Sequence, residues 1–270
     1  MGYVLGTIVT VLLVAAVCGA LHLVRRIAPA GGLWSGGATY AVFGVLGTGV
    51  AVLLAFVILL GFQSFVAAKD SAGREAIAVT ELARGSAFFG QPGRDDVRGE
   101  LICYSRAVVE REWPAMARRQ QSDVVEGWVI RLEQRAATAP VPGAREAEGL
   151  GQWLDESAAR REGRRGRLAE AAPSVPPPLW AVLLLGVVVL VAYVGTFADP
   201  ATRLWPQLLM VGSLTAVLVL SLLVVRFLDH PYGGASGSIR PTQMTLTLTQ
   251  LEREAGSLDP PCDRTGLPTP

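Results

Sequence analysis

The chain is poor in the side chains that carry most enzyme chemistry. Its 270 residues include two histidines and three cysteines, and Lys69 is the sole lysine. His22 ends an apolar run and His230 sits in a turn, and neither has a set of Cys, Asp and Glu around it that would complete a metal or catalytic site. No catalytic acid, base or nucleophile is set up around them. Cys18, Cys103 and Cys262 are scattered, and no spacing suggests a disulfide framework or a metal site. Phosphate-cradling loops are missing too: Gly31-Gly32 and Gly36-Gly37 flank Trp34 with no following Lys-Ser or Lys-Thr. Charged residues make up only 17% of the chain and sum to +1, so there is no field to draw nucleic acid. The sequence therefore leads us to expect no catalytic residues, no metal, no cofactor and no nucleic-acid partner.

What is present is apolar. Hydrophobic residues make up 51% of the chain and gather in four runs, about 4–24, 40–68, 179–197 and 205–228. Each approaches or exceeds the ~20 apolar residues needed to cross a ~30 Å hydrocarbon core. In lipid the backbone must satisfy its own hydrogen bonds, so such runs read as membrane helices. No span interior carries Asp, Glu or Lys, which weakens a proton-coupled pathway. The first run lacks a basic leader and is followed by Arg25-Arg26, so it reads as a retained helix rather than a cleaved signal. Trp34, Tyr40, Trp180 and Trp205 fall near the expected interfaces.

The fold class expected is an all-α membrane protein with four transmembrane helices in two hairpins and a helical region between them. Its parts are a first hairpin at 1–68, a helical region at 69–178, a second hairpin at 179–228 and a tail at 229–270. Lys69, Arg74 and the cluster Arg160, Arg161, Arg164, Arg165, Arg167 favour a cytoplasmic central region and cytoplasmic termini, against Arg25, Arg26 and Arg203 on the other side. Arginine in place of lysine, with heavy Ala and Gly, suggests a GC-rich bacterial genome and hence a multi-pass bacterial inner-membrane protein.

No proline or turn interrupts Gly61–Leu82, so the second run should leave the bilayer near Ala67–Lys69 and continue as one helix, ending at Gly90-Gln91-Pro92-Gly93. A helix capped by Asp95 or Asp96 should follow, with Val97, Leu101, Tyr104 and Val108 on its apolar face, and Trp113-Pro114 should kink or end it. Asp123 and Glu126 read as a capping box for a helix carrying Val125, Trp128, Val129 and Leu132. Thr138–Gly149 reads as a loop. A helix at about 150–171 should bury Leu150, Trp153 and Leu154 and expose its arginines, either as a solvated face paired as Glu156–Arg160 near an anionic leaflet or as an anion-attracting vestibule. Thr242–Glu254 fits a short helix on Met244, Leu248 and Leu251, though its alternating Thr-Leu also fits a strand, and 256–270 reads as disordered.

One face of the second run narrows the possibilities. Gly47, Ala51 and Ala55 lie within about 80° of one another on a helix, and Leu54, Ile58 and Phe62 follow on the same side. The stripe is small at one end and bulky at the other. Close helix packing and a pore pinched by apolar rings both fit this pattern.

Leu60-Gly61-Phe62-Gln63-Ser64-Phe65-Val66, leading into Asp70, Arg74 and Glu75, resembles the second helix of the bestrophin family. Tyr104 through Glu112-Trp113-Pro114, and Arg167-Leu168 with Pro178-Leu179-Trp180, more closely resemble a bacterial bestrophin-like membrane family of unknown function. Asp229-His230-Pro231-Tyr232-Gly233-Gly234 is similar to the turn after that family's last span. Together these cover most of 55–250, and Glu112-Trp113-Pro114 is the most specific. True bestrophins are pentameric anion channels, so the resemblance implies a homo-oligomer, a pentamer, set in a lipid bilayer and conducting anions such as chloride. Their neck is lined at i, i+4 and i+8, which carries over to Leu54, Ile58 and Phe62. Two departures stand out. Ala67-Ala68-Lys69 replaces an aromatic-rich stretch, and no acidic cluster beyond Asp95-Asp96 resembles the calcium clasp. The competing reading is a non-conducting scaffold or sensor that docks an unknown protein partner on Trp113, Trp128 and Trp153.

Overall fold

Runs without interior charge close their hydrogen bonds locally, and the described residues are mostly helical. A computed structural model describes residues 3–27, 37–138, 143–195 and 203–269, with no strand among them. Trp34, its flanking Gly31, Gly32 and Gly36, and Pro140 and Pro142 of the expected loop lie outside the described residues. Four helices are long and apolar enough to span a bilayer: α1 (Tyr3–Ile27), α2 (Gly37–Gly85), α7 (Pro177–Gly195) and α8 (Leu204–Leu228). Between α2 and α7 lie α3 (Gly93–Ala107), a π-helical turn (Val108–Glu112), α4 (Trp113–Met116), α5 (Asp123–Thr138) and α6 (Ala144–Ala169). After α8 comes α9 (Thr242–Ala255).

The chain divides into two compact units, each built from two separate stretches. The first comprises Met1–Ser64 and Pro173–Asp229. Here α1 packs on α8, where Gly212 faces Val14 and Cys18, and Arg25 donates to Gln207 at 2.6 Å. The core beside α2 joins Leu54 and Val57 to Leu183, Val187 and Leu190 of α7 and Leu218 and Val225 of α8. Outward faces carry exposed Leu12, Val45, Leu185 and Leu209, a surface that only an apolar solvent would cover. The loop entering α7 is tied down by Asp229, whose carboxylate accepts from the Val175 N–H at 2.9 Å.

The second unit comprises Phe65–Ala172 and His230–Pro270. Its core collects Val79 and Leu82 from α2, Val97, Leu101 and Tyr104 from α3, Val125, Trp128 and Leu132 from α5, Trp153 from α6, and Met244 and Leu251 from α9. These are the apolar stripes read from the sequence. The second helix runs unbroken through 49 residues, about 74 Å at 1.5 Å per residue, far more than a bilayer core requires.

Several expectations need correction. Helix α3 starts at Gly93, with Pro92 before it, so Asp95 and Asp96 sit inside its first turn, where their charge complements the helix dipole. Glu126 turns its carboxylate to Arg164 instead of closing a capping box. Helix α6 begins at Ala144, and Leu154 is 47% exposed, because the inward stripe of this helix runs through Trp153, Ser157 and Arg160. The arginines expected to be solvated divide, with Arg160, Arg164 and Arg167 buried and Arg165 exposed.

The tail after Gly256 is ordered against expectation. Cys262 forms a disulfide with Cys103, 159 residues away, a pairing that no sequence spacing signals. The Trp128 indole donates to the Gly266 carbonyl at 2.7 Å, and the Asp263 carboxylate accepts from the Thr265 and Leu267 amides. Gly266 has φ +78°, and a side chain there would run into the backbone of Ala107, so only glycine fits. Proline-rich composition gave no hint of anchors this few and this specific.

Candidate functional site

Two arrangements hold the sequence-marked residues. The first is an edge of α2. Ala51 and Ala55 are exposed, Ile58 is half-buried, and Phe62 is 55% exposed. Leu54 is only 5% exposed and belongs to the core shared with α7 and α8. A spacing of four residues advances about 40° on a 3.6-residue helix, so Leu54, Ile58 and Phe62 spiral from the packed side to the open side. Gly61 keeps α2 against α8, since a side chain there would meet Leu228 at 3.2 Å. Gly47 is partly buried with nothing near its Cα hydrogen, so the small residues do not form a tight helix contact. Ala51, Ala55 and Phe62 therefore lie open, as do Val52, Phe56 and Leu59 of the same helix, while Ile58 packs partly against the core that holds Leu54.

The second arrangement is a buried ionic network in the second unit, centred on Glu112. In a regular α-helix, Glu112 would point about 80° away from Tyr104. The π-helical turn at Val108–Glu112 takes up one extra residue and returns Glu112 to nearly the same face. Trp113 follows, with its indole donating to the Ile239 carbonyl at 3.0 Å and its ring set edge-on to Tyr232. Pro114 comes directly after Trp113, in the short helix α4 that continues the π-helical turn.

Arginines from α6 meet this carboxylate. Arg167 donates to Glu112 at 2.6 Å and bridges to Glu75 of α2 through two bonds, 2.6 and 2.9 Å. Arg164 donates to Glu112 at 2.8 Å and to Glu126. The Tyr104 hydroxyl donates to Glu75 at 2.6 Å. Glu75, Glu112, Tyr104 and Arg167 are wholly buried. Gly163 makes the meeting possible: an added side chain would lie 2.7 Å from the Glu75 backbone nitrogen, so α6 sits directly on α2 there.

Burial alone would raise the Glu112 carboxyl, but Arg167 and Arg164 outweigh it and hold the group below the usual carboxylate range. Burial, reinforced by Glu75, pushes the Tyr104 phenol well above its ordinary value. Burial works against the Arg167 charge, yet Glu75 and Glu112 more than restore it. The shifts of Glu112 and Arg167 both favour the charged forms that the ion pairs need, and that of Tyr104 favours the neutral phenol that donates to Glu75.

Arg160 differs from its neighbours. It is wholly buried, its guanidinium stands 5.0 Å from the centre of the Tyr104 ring, and none of its three nitrogens has a hydrogen-bond partner among the described residues. The expected Glu156–Arg160 pair does not form.

The Glu112-Trp113-Pro114 motif thus enters the network, whereas the α2 stripe lies apart from it. Reading the arginines as a charge run missed the network. The available signal was their spacing of i, i+4 and i+7, which continues the buried stripe from Trp153 and Ser157. The docking patch proposed for Trp113, Trp128 and Trp153 is spent in packing, since Trp128 and Trp153 are each 1% exposed with bonded indoles. Among the described residues no three His, Cys, Asp or Glu side chains gather to hold a metal.

Residues 11–244 match the model of the bestrophin-like domain family. The fold is similar to that of a bacterial bestrophin homologue from Klebsiella pneumoniae. A single-substitution variant of that protein superposes with a TM-score of 0.70 at 14% identity, over 95% of this chain and 100% of the other. A second structure of the Klebsiella homologue gives 0.66 at 13% identity, over 94% and 98%. No curated protein matches in sequence.

Proposed function

The chain belongs to the bestrophin-like family of membrane proteins, and we propose that it assembles into an oligomeric channel for anions, with copies of α2 lining the path. The observation that carries this reading is the open edge of α2. Its own bundle leaves Ala51 and Ala55 uncovered at one end and a bulky, 55% exposed Phe62 at the other. Repeated around a symmetry axis, such an edge makes a wide mouth and an apolar constriction at Ile58 and Phe62 that can gate by excluding water. Leu54 braces that constriction from within the bundle. A pentamer is the assembly that the family's channels suggest. The charge asymmetry around Lys69, Arg74 and the α6 arginines supports placing the second unit on the cytoplasmic side of a bacterial inner membrane.

The test is reconstitution of the purified protein in planar bilayers together with its mass in detergent. A ring-sized oligomer carrying chloride current is the expected result, and Phe62→Ala should raise unitary conductance or hold the path open. Leu54→Ala should lower stability first. A monomer that passes no current would overturn the channel.

A further inference from the structure

We propose that a cavity at the start of α9 binds the phosphate group of an anionic phospholipid. The cavity measures about 310 Å³, far above the ~15 Å³ that admits one water. Its walls belong wholly to the second unit: Phe65, Lys69 and Ala72 of α2, Trp113 of α4, and residues 237–244, which lead into α9 and open it. Lys69 and Arg240 bring two positive charges to these walls. Among the described residues no Asp or Glu lines the cavity, and neither cation has a hydrogen-bond or ion-pair partner. Both side chains are exposed, so a ligand can reach them.

The start of α9 adds donors of its own. Its N-cap is Pro241, whose ring offers no acceptor, and its first turn carries no acidic residue. The leading N–H groups have no acceptor within their own helix, and the helix dipole gives that end a partial positive charge. Ser238 is an independent mark of a ligand. It lines the cavity, is 9% exposed, and its Oγ has no hydrogen-bond partner among the described residues. The loop that carries it is set in advance: the Ile239 N–H donates to the Pro231 carbonyl at 2.8 Å, and the Ile239 carbonyl accepts from Trp113. A phosphate diester suits this set, because it carries negative charge on acceptor oxygens and has nothing to donate. Position selects a lipid as its source. Lys69 is the first charged residue after Arg26, so it marks where the α2 span meets the headgroup layer. Phe65, one turn earlier, joins Trp113 and Met244 in an apolar wall that fits the glycerol and acyl part of a lipid. A soluble anion has no use for such a wall.

The test exploits the sole lysine. Full-length protein in nanodiscs, of phosphatidylcholine alone or with phosphatidylglycerol, is treated with an uncharged amine-acylating reagent, and the rate at Lys69 is read by peptide mapping. A site filled to about nine-tenths shields its lysine about tenfold. With phosphatidylglycerol present, Lys69 of the parent should therefore react about tenfold more slowly than Lys69 of Arg240→Gln, and in phosphatidylcholine alone the two should match. Both chains feel the same surface potential, so the comparison isolates the cavity. Arg253→Gln, which removes an exposed cation at the far end of α9, should keep the protection. Inorganic phosphate added to phosphatidylcholine nanodiscs should give none. Equal rates for parent and Arg240→Gln with phosphatidylglycerol, or loss of protection in Arg253→Gln, would overturn the site, and protection by free phosphate would overturn its assignment to lipid. If Arg240→Gln does not fold, native mass spectrometry of the unmodified protein decides. One phosphatidylglycerol per chain should survive a detergent exchange that strips phosphatidylcholine, and equal retention of the two would overturn the site. None of these readouts depends on assembly or ion conduction, so they stand apart from the channel test.

Discussion

Arg167 reaches Glu112 across 2.6 Å with neither side chain exposed to solvent, and the same guanidinium grips Glu75 of a helix 92 residues earlier in the chain. One side chain of α6 thus ties α2 to the turn after α3. A buried pair of this kind adds little over a well-packed apolar substitute, but removing one partner leaves a charge stranded. Glu112→Gln should therefore destabilise the protein by about 3–5 kcal/mol, seen as a lowered unfolding midpoint in detergent. A variant as stable as the parent would mean that the network is not formed.

Acid should act through the same carboxylate. Glu112 is held below its ordinary range when folded, so its stabilisation is complete above the unfolded value of about 4.3. That contribution fades as pH falls toward the folded value, because there the unfolded chain binds a proton that the folded one refuses. The stability gap between parent and Glu112→Gln should stay constant from pH 7 to about 5 and close below about 4.3. Thermal unfolding across that range measures it. A gap that widens on acidification would reverse the assignment.

Gly163 is a second point of vulnerability. A methyl there would press on the Glu75 backbone, which cannot swing aside as a side-chain tip can. Gly163→Ala should cost about 1–3 kcal/mol by overpacking, despite alanine's better helix propensity. Gly151→Ala on the same helix meets nothing within 4 Å and should be neutral or mildly stabilising. Chemical unfolding of the two variants side by side separates packing from propensity.

The Cys103–Cys262 bridge closes a loop of 159 residues, worth about 5 kcal/mol in the chain-entropy description. With the bridge formed, Cys262→Ser should unfold earlier than the parent, and added reductant should make the two coincide. The tail should remain docked in both, because the bond from Arg106 to the Asp263 carbonyl at 3.3 Å and the Trp128–Gly266 bond do not involve sulfur. Tryptic cleavage at Arg264 reports on docking, and rapid cleavage of the reduced parent would show that the bridge alone holds the tail.

Much of the helical body was legible because one rule, burial at 3.6-residue spacing, governs it. Val97, Leu101 and Tyr104, or Val125, Trp128 and Leu132, announce their helices by period alone. The ionic network was not legible for the opposite reason. Its arginines occupy positions that the period marks as inward, but their chemistry marks them as outward, and only the partners decide. Glu75 and Glu112 lie 92 and 55 residues from Arg167, and nothing local connects them. The same holds for Cys103 and Cys262. On α2, spacing placed Leu54, Ile58 and Phe62 on one stripe. Which part of the stripe the neighbouring helices cover is set by α7 and α8, whose sequences do not mention it.

The π-helical turn at Val108–Glu112 has one last implication, for how lineages of this chain could vary in length. A π turn is an α-helix carrying a spare residue. Loss of one residue among 108–111 would relax the segment into an ordinary helix and still aim Glu112 toward the Tyr104 side. Gain of one would swing Glu112-Trp113-Pro114 through about 100° and strand two arginines. In this stretch deletion is the permitted change and insertion the forbidden one.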